Sequence, residues 1–319
     1  MRRCWAVALV ALALARPAAA RDTHLLVVTG VEGDPDFGAQ YDKWATALID
    51  AARHKGGVAD ANITYLADRP ARDPSRVQGR STREGVEKAF ADIAARARPD
   101  DEVVIVLFGH GSFDGRQASF NLPGPDLSAT DCAALVAKLS AQRVVFVNTS
   151  SSSGGFLQPL AGPGRVVVTA TRTGGERNET RFPAYFVEAF GAEAADQNRD
   201  GTISMAEAFE YARARTVKAY EQDGLLLTEH ATLEDASGGS LASMLSLSSA
   251  RAQAAAEANV SDPVLKGLIE ERQALERQIA DLKLRKDVMP AAQYDAELER
   301  LLTALALKTR TIQERQVKK

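Results

Sequence analysis

Cysteine is nearly missing from this 319-residue chain, which has only Cys4 and Cys132. Cys4 sits in an apolar leader, so a chain that has lost its leader keeps a single thiol and can form no internal disulfide. Long hydrophobic runs are missing as well. Beyond the leader no stretch is long and apolar enough to span a bilayer. Basic charge is not in excess. The formal net charge of −3 becomes −6 once Arg2, Arg3 and Arg16 leave, which argues against a nucleic-acid partner. Phosphate-binding loops are absent too: the glycines after the first apolar run do not form Gly-x-Gly-x-x-Gly, and no Gly-Lys-Ser/Thr occurs. The serine run 150–153 lacks the preceding Gly-x of a hydrolase elbow, and no repeat of solenoid length is found.

What is present describes a folded chain, since 45% hydrophobic and 25% charged residues are ordinary globular proportions. Arg2 and Arg3, the short apolar core 5–15 and Ala18-Ala19-Ala20 read as a signal peptide. Cleavage after Ala20 and a periplasmic or secreted mature chain starting at Arg21 are expected. Val-, Ile- and Leu-rich runs of strand length recur at 24–29, 63–67, 103–108, 144–147 and 166–171. Helix-like segments at 41–54, 82–97, 130–139 and 182–190 fall between or after them. Near-continuous apolar strands alternating with helices predict an α/β fold around a mainly parallel sheet, covered on both faces. Ser81 with Glu84, and Ser128 with Asp131, have capping-box spacing at two helix starts.

The character changes past Gly239. A Ser/Ala-rich stretch reads as a linker over 240–262, which gives a leader 1–20, an α/β domain 21–239 and a C-terminal segment 263–319. In that last segment Leu265, Leu268, Leu275, Ile279 and Leu282, then Leu298, Leu301, Leu305 and Ile312, recur at three-and-four spacing. The pattern breaks at Met289-Pro290 and predicts an α-helical hairpin with a coiled-coil-like seam. Such a hairpin packs on its own domain, or serves self-association or partner binding.

Ligands of open parallel sheets bind beyond the strand carboxyl ends. The run 103–108 leads into Gly109-His110-Gly111-Ser112, and 144–147 into Asn148-Thr149-Ser150-Ser151-Ser152-Ser153-Gly154-Gly155. Small residues let backbone N–H groups approach a substrate there. A histidine and a serine turn at consecutive strand ends form one candidate site. Asp114 follows His110 closely and could orient it, but reads more plainly as a turn residue in Phe113-Asp114-Gly115. His230 could reach the same rim. Cys132, near the start of the intervening helix, reads as a small buried residue.

These residues resemble the clan of cysteine peptidases that contains legumain and the caspases. The likeness rests on 103–111 followed by 143–155, and extends to 24–38, the helix from Tyr41, 62–66 and 166–172. The resemblance implies a caspase-like three-layer sandwich. It places His110 at the catalytic histidine and Gly111 at the glycine whose N–H helps hold the oxyanion. Aligning Ser153-Gly154 with the family's Ser-Gly puts Ser151 at the nucleophile position, with Ser150 the next choice. The family's cysteine is thus a serine here. A hydroxyl, unlike a thiol, needs a closely coupled base, which the family's histidine does not supply.

Residues 196–207 fit a twelve-residue EF-hand loop. Asp196, Asn198 and Asp200 stand at positions one, three and five, Gly201 at six and Glu207 at twelve, with the Thr202 carbonyl and Ser204 as further oxygens. One structural Ca²⁺ is the expected cofactor. Three readings follow from the sequence: a catalytically impaired peptidase fold that binds a peptide or protein in the strand-end cleft, a hydrolase or transpeptidase with Ser151 as nucleophile and His110 as base, and a calcium-stabilised scaffold acting through its C-terminal helices.

Overall fold

Alternation along the buried strands sorts their side chains into two layers. In the computed structural model Leu25, Val27, Val104 and Val106 enter one hydrophobic cluster, while Leu26, Val28, Val103 and Ile105 enter another. The period of two residues puts the clusters on opposite faces of one sheet. The structure describes residues 21–139, 141, 143–199, 201–249, 262–284 and 289–317. The leader 1–20 and most of the expected linker lie outside them.

The main sheet contains β1 (Thr23–Thr29), β2 (Ile63–Ala67), β3 (Gly79–Arg80), β4 (Glu102–Phe108), β8 (Arg143–Asn148), β9 (Arg165–Thr169) and β10 (Thr232–Asp235). Its order is β10-β9-β8-β4-β1-β2-β3, parallel except for β10 against β9. The chain builds outward from β1 through β2 and β3, then returns to lay β4 on the other side of β1. The β1/β4 seam is therefore the switch point at which such sheets form a crevice. On one face pack α1 (Pro35–His54), α5 (Phe182–Ala189) and α6 (Met205–Gln222); on the other pack α2 (Arg83–Arg96), α3 (Ala129–Val136) and the single turn α4 (Leu157–Leu160). The architecture is a mixed α/β sandwich with a mostly parallel sheet and a helical tail.

Capping explains several helix starts. Asp34 accepts from Asp36 N and precedes Pro35, so α1 begins six residues before Tyr41, where apolar periodicity first shows. Ser128 and Asp131 form the expected capping box. At α2 the expectation fails, because Thr82 rather than Ser81 caps the helix by accepting from Gly85 N, and the Ser81 hydroxyl is buried without a hydrogen-bond partner. Between His110 and α3 lies a small antiparallel sheet of β5 (Gly111–Phe113), β6 (Ala118–Phe120) and β7 (Leu127–Ser128), whose two- and three-residue strands are too short to leave a pattern in sequence.

The linker expected over 240–262 is corrected at its start. Leu241, Ala242, Leu245 and Leu247 are buried in the α1/α5/α6 layer. Met205 N donates to Leu245 O, Ala206 N to Ala242 O and Ser249 N to Gly56 O. Residues 237–249 are a strap belonging to the α/β domain. They read as a linker because their buried leucines stand among Ser, Gly and Ala without a helix or strand period, and it is the strap's backbone that bonds the neighbours. The tail consists of α7 (Pro263–Leu284) and α8 (Ala291–Val317). Leu265 and Ile269 meet Ile312, and Ile279 and Leu282 meet Leu301 and Leu305, which fixes the pair as antiparallel.

Candidate functional site

β4 and β8 are parallel neighbours, with Leu107 paired to Asn148. Their register delivers Gly109-His110-Gly111 and the serine turn to the same end of the sheet. Gly111 opens β5, and its N–H donates to Ser151 Oγ at 3.2 Å while that hydroxyl donates to Gly111 O at 3.0 Å. A side chain at 111 would not fit, because its Cβ would lie 2.1 Å from Ser151 O. The Ser150 hydroxyl donates to Asn148 Oδ1 at 2.7 Å, and Ser153 shares a hydrogen bond with Thr171. Ser152 has a left-handed backbone, φ 59°, held by donation of its N–H to Glu176 O at 2.7 Å.

His110 lies between two other groups. Its Nε2 is 3.1 Å from Tyr41 Oη, and its Nδ1 is 3.2 Å from Glu179 Oε2. Phe37 meets the ring edge-on at 4.8 Å between centroids. The bond to the Glu179 carboxylate raises the imidazole above its ordinary pKa, against the opposing effect of burial. Burial, helped by the Glu179 charge, drives the Tyr41 phenol well above the ordinary tyrosine range, so it stays protonated. Close by, Glu32 is buried and paired with Arg69 at 2.6 Å and Arg72 at 2.5 Å. The site thus spans the ends of β1, β4 and β8.

The structure brings His110, Gly111 and Ser151 to one end of the sheet, bonds Ser151 to Gly111 and engages His110 separately with Tyr41 and Glu179. The Gly111 N–H, the expected oxyanion donor, serves Ser151. Asp114 accepts from the N–H groups of Arg116 and Gln117, the turn role, rather than orienting His110. His230 reaches the rim through Glu176, whose Oε1 is 3.0 Å from its Nδ1. Cys132 is fully buried, and burial raises its thiol far above the usual range. Tyr41 was legible only as the first residue of the expected helix 41–54. Glu176 and Glu179 occur in a stretch without periodicity, so nothing in sequence pointed to them.

The 196–207 loop has EF-hand backbone features. Gly201 has φ 85°, and its N–H donates to Asp196 Oδ2 at 2.8 Å, position six reaching back to position one. Glu207 folds over the loop: Oε1 accepts from Gln197 N and Asn198 N, and Oε2 from Ser204 N and Oγ. Asp200 lies outside the described residues. Among the described residues no three His, Cys, Asp or Glu side chains gather at metal-binding distance. The Asp196, Asn198 and Glu207 oxygens and the Thr202 carbonyl are the groups that would hold a hard cation, and Glu207 would exchange its N–H partners for the ion. Next to the loop, Lys55, Gly191, Ile203 and Leu247 line a cavity of about 340 Å³.

No family model and no curated protein matches the chain. Among solved structures the chain is similar to the crystal structure of protein GSU0716 from Geobacter sulfurreducens, at 13% identity and a TM-score of 0.44, over 66% of this chain and 92% of that one. Among the described residues no helix is long and apolar enough to cross a membrane.

Proposed function

We propose that this is an exported protein of caspase/legumain-like design whose strand-end site binds a peptide or protein partner without cleaving it. One observation carries the reading: the protein's own groups satisfy both members of the candidate dyad, Ser151 on Gly111 and His110 between Tyr41 and Glu179. A nucleophile needs its base within hydrogen-bond reach, and here the histidine's Nε2 faces a phenol. The hydrolase or transpeptidase alternative requires both residues to leave these partners. The test is a peptide library offered to the purified protein together with a serine-reactive phosphonate, alongside Ser151→Ala and His110→Ala. Capture of peptides without turnover or labelling supports the reading; turnover that depends on Ser151 overturns it.

We further propose that the 196–207 loop holds one structural Ca²⁺. The Gly201 turn and its bond to Asp196 support this, since they preform the loop that such an ion needs. When bound, the ion would gather carboxylate and carbonyl oxygens and tie the end of α5 to the start of α6. Calcium should raise the melting temperature of the native chain and leave that of Glu207→Ala unchanged; an equal rise in both sinks the assignment. The scaffold reading, in which α7 and α8 carry the interaction, predicts that partner capture is lost on deleting residues from Pro263 onward.

A further inference from the structure

Loops beyond strand ends normally lie on the surface, yet Ser150, Ser151, Ser152 and Ser153 are 0%, 7%, 1% and 0% exposed. β5 buries them from one side. Residues 172–181 bury them from the other, without regular secondary structure of their own. The attachments of this segment are mostly polar, with Gly174 and Arg177 also lying against the Phe113 ring and Arg181 N donating to Glu229 Oε1 at its end. Glu176 O accepts from Ser152 N, and the Glu176 carboxylate takes His230 N and Nδ1 along with Arg172 N. Glu179 reaches across the turn to His110, and Thr180 Oγ1 donates to Thr149 O at 2.6 Å. Arg172, Thr173, Arg177, Asn178 and Glu179 face outward. Two glutamates three residues apart are thus held by two histidines from different parts of the chain.

We infer that residues 172–181 are a latch over the strand-end site, pinned by Glu176 on His230 and Glu179 on His110, and that its release exposes Ser151, the Ser152 N–H and His110 together. The inference rests on reading this end of the sheet as a ligand site and assigns the regulation of that site. A coil held by partly exposed ion pairs, with most of its side chains outward, opens at lower cost than the sheet beneath. The two pins share one segment, so loss of either makes release of the other easier. Nothing in the central strands has to move.

The experiment is an access measurement on the full chain carrying Ser151→Cys. Alkylation of residue 151 by iodoacetamide is followed by mass spectrometry, with buried Cys132 as the internal control. Adding Glu176→Gln and Glu179→Gln should speed alkylation at 151 about tenfold, the scale expected when two ion pairs stop closing one segment. Hydrogen exchange should rise over 172–181 and at the Ser152 amide, and stay slow in β4 and β8. An unchanged alkylation rate overturns the latch, as does a rise at Cys132 equal to that at 151. Should the double variant lose its fold, Glu179→Gln alone decides by the same rate. Alkylation does not depend on ligand, so faster access in a protein that captures no peptide upholds the latch and sinks the ligand-site reading. Peptide capture with unchanged access does the reverse.

Discussion

Ser151 and Gly111 form a two-bond clasp, in which one hydroxyl accepts the glycine N–H and donates to its carbonyl. Through it the ends of β4 and β8 are joined by the residue that the family resemblance would make a nucleophile. The hydroxyl acts there as a structural bridge between strands.

Ser151→Ala removes both bonds and leaves a peptide group of β5 short of partners, which should cost about 1–2 kcal/mol of stability. Urea unfolding reads this directly. Gly111→Ala should cost more, about 2–3 kcal/mol, because its methyl meets the Ser151 backbone carbonyl rather than a side chain that can turn away. A smaller loss for Gly111→Ala than for Ser151→Ala would contradict the geometry.

His110 should titrate above the ordinary imidazole value, and Glu179→Gln should bring it down, because burial then acts without the opposing carboxylate. The sign for stability follows. With the folded value raised, the pair stabilises fully below the unfolded pKa, and the contribution fades as pH climbs through the folded one. Both side chains are partly exposed, so the effect stays under about 1 kcal/mol. NMR of the imidazole protons in the two proteins checks the shift.

Glu102 has the same sign for a different reason, burial rather than a partner charge. It is buried beneath the strap at the start of β4, its Oε1 has no hydrogen-bond partner, and burial pushes its pKa up to about 8. The folded chain keeps this proton where the unfolded chain releases it. Stability should therefore fall as pH rises above the ordinary carboxylate value, with the loss complete past about 8. Glu102→Gln should flatten that dependence and raise the melting temperature at pH 9 more than at pH 5. Parallel pH curves for the two proteins would rule it out.

The strap should behave as core. Leu245 is 1% exposed, and Leu245→Ala should cost about 2–4 kcal/mol. A chain ended at 239 should melt well below one ended at 249, as followed by circular dichroism. Equal melting would return 237–249 to the status of a linker.

Much of the sheet was legible because β1, β4, β8 and β9 are buried on both faces, so their apolar runs stand out whatever surrounds them. The helical tail was legible from its seam. What escaped was held by tertiary contacts: β3, β5, β6 and β7 are too short to show a period, and β10 takes its place by pairing with β9. The strap buries three leucines spaced among Ser, Gly and Ala, which look like a linker. At the site, His110 and the serine turn were visible as strand-end punctuation. The partners of His110, Tyr41 and Glu179, come from a buried helix face and an irregular loop, where residue type alone carries no signal.

The strap has a further consequence. Thr23 Oγ1 donates to Ser248 O, and Ser249 N reaches Gly56, so the chain leaves the domain at the amino ends of the parallel strands. His110 follows the carboxyl end of β4, about 20 Å away by the rise of a seven-residue strand. The domain therefore has two poles separated by a rigid sheet. The strap's end at Ser249 and the imidazole of His110 thus sit at opposite ends of the same strands, so a group placed at one end meets none of the side chains that line the other.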